Sequence, residues 1–201
     1  MRHSALIASI AIVIVTLLPG CAGHKEASYF SPSPADGMRV QNTYRQLIEL
    51  ATIPLGGDAA LEVLVFDHPN SATLRLLIKI PEGESFEFEN VEVNSVSLTG
   101  SPVLSAEIVN IQGNIITAGI GAFVYFKGNA RLEGATYKYK KAFGGEQAVH
   151  RYFETDIKFT SALPDRFQIK LPGIRMKRGR VVLPPLLFER KLGSAYLGSP
   201  P

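Results

Sequence analysis

The chain has 201 residues, and its 21 lysines and arginines nearly balance its 18 aspartates and glutamates. The resulting net charge of +3 gives no global argument for nucleic-acid binding, so we expect no nucleic-acid partner. Its one cysteine, Cys21, has no partner for an intramolecular disulfide.

The first twenty residues have the pattern of an export signal. Arg2 supplies a short basic start, and residues 5–18 form an apolar run of fourteen residues without a charge. This run is shorter than the roughly twenty residues of a permanent membrane helix, and Pro19-Gly20 end it. We therefore predict that residues 1–20 are a cleaved signal peptide.

Cys21 stands at the end of a motif that defines a class of exported proteins. Leu18-Pro19-Gly20-Cys21 resembles the lipobox of bacterial lipoproteins, in which a dedicated peptidase cleaves before an acylated cysteine. The resemblance implies that Cys21 is the lipidation site and that palmitate-type chains anchor the protein stably in a membrane. In such lipoproteins an aspartate after the cysteine favours the inner membrane. Ala22 at this position implies the outer membrane, with the protein facing the periplasm.

The mature chain divides into three segments. Residues 21–37 are mostly small and polar and include two prolines, which is typical of an extended, lipidated tether. Residues 192–201 show no pattern and are expected to form a flexible C-terminal tail. Residues 38–191 have the size of a single domain, so a chain beginning near Met38 should fold by itself.

Alternating apolar and polar residues predict an all-β domain. The alternation is clearest at residues 74–80, 151–159 and 166–171. Turn-forming residues separate the predicted strands at 68–71, 81–83, 99–102, 112–114, 127–129, 143–145 and 177–180. Many short strands between turns favour an antiparallel β-sandwich of the immunoglobulin-like or a related type.

Two segments depart from simple alternation. Residues 39–51 carry apolar side chains at helical spacing, so we predict one short N-terminal amphipathic helix that ends before Pro54. This helix would cover an open end or edge of the sandwich. The apolar run Ile115–Phe126, with Gly119 and Gly121, is expected to be a buried core strand. A strand that dips into the membrane or binds a partner is the alternative.

Few residues indicate catalysis or metal binding. Asp67, His68 and His150 could converge on zinc, but turn propensity explains the Asp67-His68 pair without a ligand. The chain has neither a Gly-x-Ser-x-Gly elbow nor a Ser-x-x-Lys motif. We therefore assign no catalytic residue, no metal ligand and no cofactor, and expect that the protein is not an enzyme.

Residues 82–92 form the densest acidic stretch. Glycoside hydrolysis needs two facing carboxylates, which this stretch could supply. However, Glu87 alternates with Phe86 and Phe88, which indicates the solvent-exposed face of a strand, and the chain has no tryptophan to stack on a sugar. We interpret the glutamates as solvated: Glu82, Glu84, Glu87, Glu89 and Glu92.

A basic stretch near the C-terminus is the second local charge anomaly. Its alternation predicts a β-hairpin with a basic turn at residues 177–180. Such charges commonly serve solubility. They could also dock on an acidic surface, either anionic lipid headgroups or an acidic partner protein. The candidate docking residues are Arg175, Lys177, Arg178 and Arg180.

Three functions are compatible with these features. The leading hypothesis is a membrane-anchored, non-enzymatic envelope module that binds a protein partner or forms part of an assembly. The first alternative is a carrier of a lipid or small hydrophobic ligand, which would need an apolar cavity. The second is a cell-envelope hydrolase, which would need a convergent histidine and acid pair in a cleft. The expected partners are the membrane, through Cys21, and an envelope protein.

Replacement of the lipidation residue tests the anchor directly. Cys21→Ala removes the thiol that would carry the acyl chains, so the precursor should remain uncleaved and should incorporate no labelled fatty acid. The measurement is labelling in growing cells, followed by electrophoresis beside the wild-type protein. Labelled fatty acid in the variant would contradict the assignment.

Overall fold

The computed structural model of the protein describes residues 24–42, 48–98, 104–117, 120–127, 130–134, 137–140, 146–149 and 151–196. These described residues form eighteen β-strands and no helix, and their strands pair in antiparallel sheets. Accordingly, no helix in them is long and apolar enough to cross a membrane. The prediction of an all-β protein is confirmed.

The strands follow one another closely along the chain. In order, they are β1 (His24–Pro32), β2 (Arg39–Asn42), β3 (Glu49–Gly56), β4 (Ala59–His68), β5 (Ser71–Ile80), β6 (Ser85–Phe88), β7 (Glu92–Ser97), β8 (Leu104–Glu107), β9 (Asn110–Thr117), β10 (Ile120–Lys127), β11 (Leu132–Glu133), β12 (Tyr137–Lys140), β13 (Glu146–Val149), β14 (Arg151–Phe159), β15 (Arg166–Lys170), β16 (Ile174–Met176), β17 (Gly179–Val181) and β18 (Leu186–Tyr196).

Within the described residues, these strands form four sheets. The large sheet has the order β10-β9-β14-β5-β4-β3-β2. The terminal sheet, which contains the first and last strands, has the order β1-β18-β15-β7-β8. The small sheet has the order β11-β6-β16-β17, and β12 pairs with β13. The first three of these sheets each contain neighbouring strands that are distant in sequence, so the fold depends on long-range pairing.

Period-two alternation places apolar side chains in one core, as predicted. Every second residue of β5, from Ala72 to Ile80, is buried, and β14 alternates in the same way from Phe153 to Phe159. The core joins residues of the large, terminal and small sheets in one cluster. Full burial of one such side chain contributes about 1.5–3 kcal/mol. The fully buried phenylalanines among the described residues are Phe30, Phe86, Phe88, Phe153, Phe159, Phe167 and Phe188.

The two ends of the described chain differ from the predicted tether and tail. Residues 24–32, assigned to the tether, form β1, and residues 192–196, assigned to the tail, complete β18. The two strands pair along nine residues, from His24 opposite Tyr196 to Pro32 opposite Phe188. The composition of residues 24–32 favours an unstructured tether. The strand that pairs with them lies more than 150 residues further along the chain, so a local pattern could not indicate it. The folded domain therefore extends beyond the predicted limits of 38–191.

The predicted N-terminal helix is wrong where the structure describes it. Residues 39–42 form β2 and residues 49–51 begin β3, and the two strands pair with each other; residues 43–47 lie outside the described residues. Ala51, the last residue of the predicted helix, begins a run in β3 in which every second side chain is buried, which is the period of a strand. Pro54 lies beyond the last residue paired with β2, beside a register shift, where a proline is tolerated in a sheet.

The described residues of the apolar run 115–126 belong to two paired strands, β9 and β10, rather than to one strand, and residues 118–119 lie outside the described residues. The predicted turn at 112–114 is also wrong, because these residues lie inside β9. Two aromatic rings pack closely against Gly113 in this strand. A Cβ atom at this position would lie 3.0 Å from the ring of Phe126 and 3.1 Å from the ring of Phe153. The glycine thus marks ring packing against a strand rather than a turn.

Removal of β1 should destabilise the domain, contrary to the expectation that a chain beginning near Met38 folds by itself. A protein that begins at Met38 loses the buried ring of Phe30 and the partner of β18. Phe30→Ala in the chain beginning at Ala22 should lower the free energy of unfolding by about 3–5 kcal/mol, and the truncation by more. Thermal unfolding followed by circular dichroism measures both effects. Equal melting temperatures for the chains beginning at Ala22 and Met38 would contradict this role of β1.

Candidate functional site

The basic hairpin that was predicted from the sequence is present. Strands β16 and β17 pair, with Arg175 opposite Arg180 and Met176 opposite Gly179. Lys177 and Arg178 form the two-residue turn, and Gly179 has a φ of 142°, a backbone conformation that favours glycine. The four candidate docking residues therefore lie together on one exposed hairpin.

Glutamates of the predicted acidic stretch surround this basic hairpin. Strand β6 lies beside β16, with Glu87 directly opposite Arg175 and a side-chain separation of 3.7 Å. Glu89, just after β6, contacts Arg180 through two pairs of atoms, Nε to Oε1 at 2.6 Å and Nη2 to Oε2 at 2.9 Å. These bonds raise the pKa of Arg180 above its ordinary value, because the carboxylate favours the charged guanidinium.

Glu84 contacts both residues of the hairpin turn, Lys177 and Arg178. Its side chain is only 7% exposed, and its Oε1 accepts the backbone N–H groups of Ser85 at 3.1 Å and Lys177 at 2.9 Å. Its Oε2 lies 3.3 Å from Nε of Arg178. The ammonium group of Lys177 donates to the backbone carbonyl of Gly83 at 3.1 Å. A buried carboxylate is stabilised by such donors, so Glu84 is a structural residue of the hairpin.

These contacts change the interpretation of both charged stretches. The glutamates at positions 84, 87 and 89 were interpreted as solvated, but each of them contacts an arginine of the hairpin. The basic charge of the hairpin is partly balanced within the domain, because three glutamates pair with its arginines whereas Lys177 donates to a backbone carbonyl. Docking by Arg175, Lys177, Arg178 and Arg180 stays a prediction, and the field available to an acidic partner is smaller than the sequence suggests. A linear sequence could not show this pairing, because the two stretches are about 90 residues apart.

The zinc hypothesis gains no geometric support from Asp67 and His68. The described residues contain no group of three or more histidines, cysteines, aspartates or glutamates that could hold a metal ion. Nε2 of His68 is 3.3 Å from Oγ1 of Thr73, across the β4–β5 hairpin, and Asp67 contacts Arg190. His150 lies outside the described residues.

The contact between Asp67 and Arg190 belongs to a second charged site, which sequence reasoning missed. Besides Asp67, the guanidinium of Arg190 donates to Asp165 at 2.8 Å and to the carbonyl of Leu163 at 3.2 Å. Its Cζ atom lies 4.4 Å from the ring centroid of Phe30, within the range of a cation–π interaction. Arg190 therefore connects the terminal sheet to the end of β4 in the large sheet.

A neighbouring polar contact also connects β1 to the large sheet. The hydroxyl groups of Ser31 and Tyr29 donate to the two carboxylate oxygens of Glu49 in β3, at 2.5 Å and 3.2 Å. Partial burial, together with the charge and hydrogen bond of Glu49, raises the pKa of Tyr29 above its ordinary value. We call this contact and the contacts of Arg190 the terminal clamp, because together they fix β1 and β18 to the large sheet.

A surface cleft beside the basic hairpin is too small for a typical ligand pocket. Its volume is about 160 Å³, and it is lined by residues of both charges as well as by Met176. Ligand pockets usually measure roughly 300–1,000 Å³ and are mainly apolar. A cleft at the β3–β4 turn, near Gly57 and Asp58, is larger, at about 430 Å³, but it lies open on the surface. Neither cleft has the enclosed apolar lining that a carrier needs.

Comparisons with protein-family models, with curated proteins and with solved structures found no match to this chain.

Glu84 is the most buried of the three glutamates that contact the hairpin, so we expect its replacement to lower stability most. Glu84→Ala should lower the free energy of unfolding by about 1–3 kcal/mol, because backbone donors lose a buried acceptor. Glu87→Ala, which removes a partner of the exposed Arg175, is the matched control and should cost less than about 1 kcal/mol. Urea unfolding measures the difference as a shift of the midpoint, provided that the dependence of the unfolding free energy on urea concentration is the same in both variants. Equal midpoints for the two variants would show that Glu84 does not hold the turn.

Proposed function

We propose that this protein is an outer-membrane lipoprotein of the bacterial envelope, anchored through Cys21 and facing the periplasm, whose β domain is a non-enzymatic binding or assembly module. The observation that carries the proposal is the lipobox Leu18-Pro19-Gly20-Cys21 behind a basic start and an apolar run. Two or more acyl chains are sufficient for stable anchoring. Ala22 supports the outer-membrane location, as argued from the resemblance.

We propose further that the large and terminal sheets pack face to face as a β-sandwich, of the immunoglobulin-like or a related type. Support comes from contacts of β1 with β3 and β4 and of β8 with β14. Further support comes from the shared core, to which Phe30 and Phe167 of the terminal sheet and Ile53 and Leu61 of the large sheet contribute. Sheets of a sandwich bury their inner faces against each other in this way.

The contacts of the polar side chains favour a binding module over a hydrolase. Asp67 is engaged by Arg190, and the hydroxyl of Thr73 lies against His68. Glu84 and Glu89 stabilise the basic hairpin. Among the described residues, these polar groups are engaged in contacts within the domain, which supports a structural role for them.

Sorting between the two membranes tests the location and the anchor together. The wild-type protein should sediment with the outer membrane when the envelope is separated by density, and Ala22→Asp should move it to the inner membrane. Ala22→Ser, a small neutral replacement, is the matched control and should leave the location unchanged. Wild-type protein recovered without acyl chains from the soluble fraction would overturn the proposal.

Partner binding is tested by cross-linking in intact cells. We expect the wild-type protein to be cross-linked to a specific envelope protein, and expect this product to disappear when Ala22→Asp retains the module in the other membrane. The product is identified by mass spectrometry after purification under denaturing conditions. Identical products from the wild-type protein and from Ala22→Asp would contradict a partner in the outer membrane.

A further inference from the structure

The ends of β1 and β18 extend beyond the rest of the terminal sheet as a two-stranded ribbon. Strand β15 pairs with β18 only from Leu186 to Glu189, whereas β1 pairs with it as far as Tyr196. Residues 24–29 and 191–196 are therefore partners of each other, without β15 beside them. We call these residues the terminal ribbon. The terminal clamp lies at its base and fixes its direction relative to the domain.

The terminal ribbon exposes a large apolar side chain. Leu192 is opposite Ser28 and is 77% exposed. Alternation along β18 places it on the same face as the buried Phe188 and as Arg190, which covers Phe30. The core-facing side of β18 therefore continues past the clamp with a leucine that the domain does not cover.

A lipid on Cys21 would limit how far this leucine can lie from the anchor point. Three residue steps separate Cys21 from His24, where β1 begins, and they span at most about 11 Å. Four further steps along β1 reach Ser28, the residue paired with Leu192, which adds about 13 Å. A lipid on Cys21 would thus confine Ser28, the residue opposite Leu192, to within about 24 Å of the anchor point. The predicted flexible tether of residues 21–37 would have allowed a much wider range.

We propose that the terminal ribbon lies against the bilayer and that Leu192 inserts at the boundary between headgroups and acyl chains. This inference rests on the proposed lipid anchor and identifies the surface that the anchored domain presents to the membrane. The bilayer is the occupant that the short connection brings within reach, and an exposed leucine gains by leaving water for an interface. The ribbon then fixes which end of the domain faces the membrane.

The absence of tryptophan from the chain allows a single reporter to be placed on the ribbon. The test uses the mature chain beginning at Cys21, coupled through its one thiol to a maleimide lipid in phosphatidylcholine vesicles. With Leu192→Trp, the emission should shift to shorter wavelength, and lipids brominated on the acyl chains should quench it. Val182→Trp, at an exposed apolar residue outside the ribbon, is the matched control and should show neither effect.

Each other outcome overturns the proposal in a defined way. An unquenched Trp at position 192 would mean that the ribbon stands away from the bilayer. A blue shift that grows with the number of protein molecules per vesicle, without quenching by brominated lipid, would show that Leu192 contacts a second copy of the chain instead of the bilayer. Equal quenching at positions 182 and 192 would indicate adsorption without a preferred surface.

The chemical coupling separates this inference from the proposed function. Because the lipid is installed in vitro, quenching at position 192 reports the geometry of the ribbon whether or not cells acylate Cys21. The mass of the protein isolated from cells tests acylation independently. Absence of acyl chains in that protein, with quenching in vitro, would reject the lipoprotein assignment and leave the membrane affinity of the ribbon established.

Discussion

The antiparallel pairing of β1 with β18 is the constraint on which the described structure depends most. It joins the two ends of the described chain and brings Phe30 against Phe167, with ring centroids 4.9 Å apart in an edge-to-face arrangement. Phe167 stacks in turn on Phe188 at 5.5 Å. Such aromatic pairs contribute beyond their buried area, so the terminal strand is part of the core.

The same pairing determines how a lipid anchor would act on the domain. A flexible tether would leave the domain free to adopt many orientations above a membrane. With β1 beginning at His24, a lipid on Cys21 would be connected to the sheet through two residues, Ala22 and Gly23. The terminal clamp, which includes Arg190 and Glu49, would then connect this attachment to the large sheet. The proposed anchor and the orientation of the domain would therefore depend on the same strands.

Ion pairs join the two conspicuous charged stretches of the sequence. The glutamates near β6 and the cations of the β16–β17 hairpin occupy adjacent strands of the small sheet. Exposed pairs such as Arg175 with Glu87 contribute little to stability. The buried carboxylate of Glu84 contributes more, because it also accepts backbone donors. These ion pairs connect the hairpin to β6 and the residues beside it, and they partly neutralise the charge of the hairpin.

Local patterns in the sequence determined the secondary structure in much of the domain. Alternation in β5, β14 and β15 predicted their buried faces, and turn residues predicted the hairpins at His68–Ser71 and Lys177–Arg178. These features depend on neighbouring residues: side chains alternate with a period of two, and particular residues favour turns. The resemblance of residues 18–21 to a lipobox likewise rests on neighbouring residues, and the proposed lipid anchor depends on it.

Tertiary structure decided which strands pair, and local patterns failed where a distant partner determined the conformation. Residues 24–32 look like a tether until β18 supplies a strand for them to pair with. Gly113 looks like a turn residue until the rings of Phe126 and Phe153 occupy the space of its missing side chain. Glu84 looks solvated until Arg178 and the backbone of Lys177 surround it. In each case the deciding contact joins residues that only the folded chain brings together, and its free energy exceeds the weak local preference.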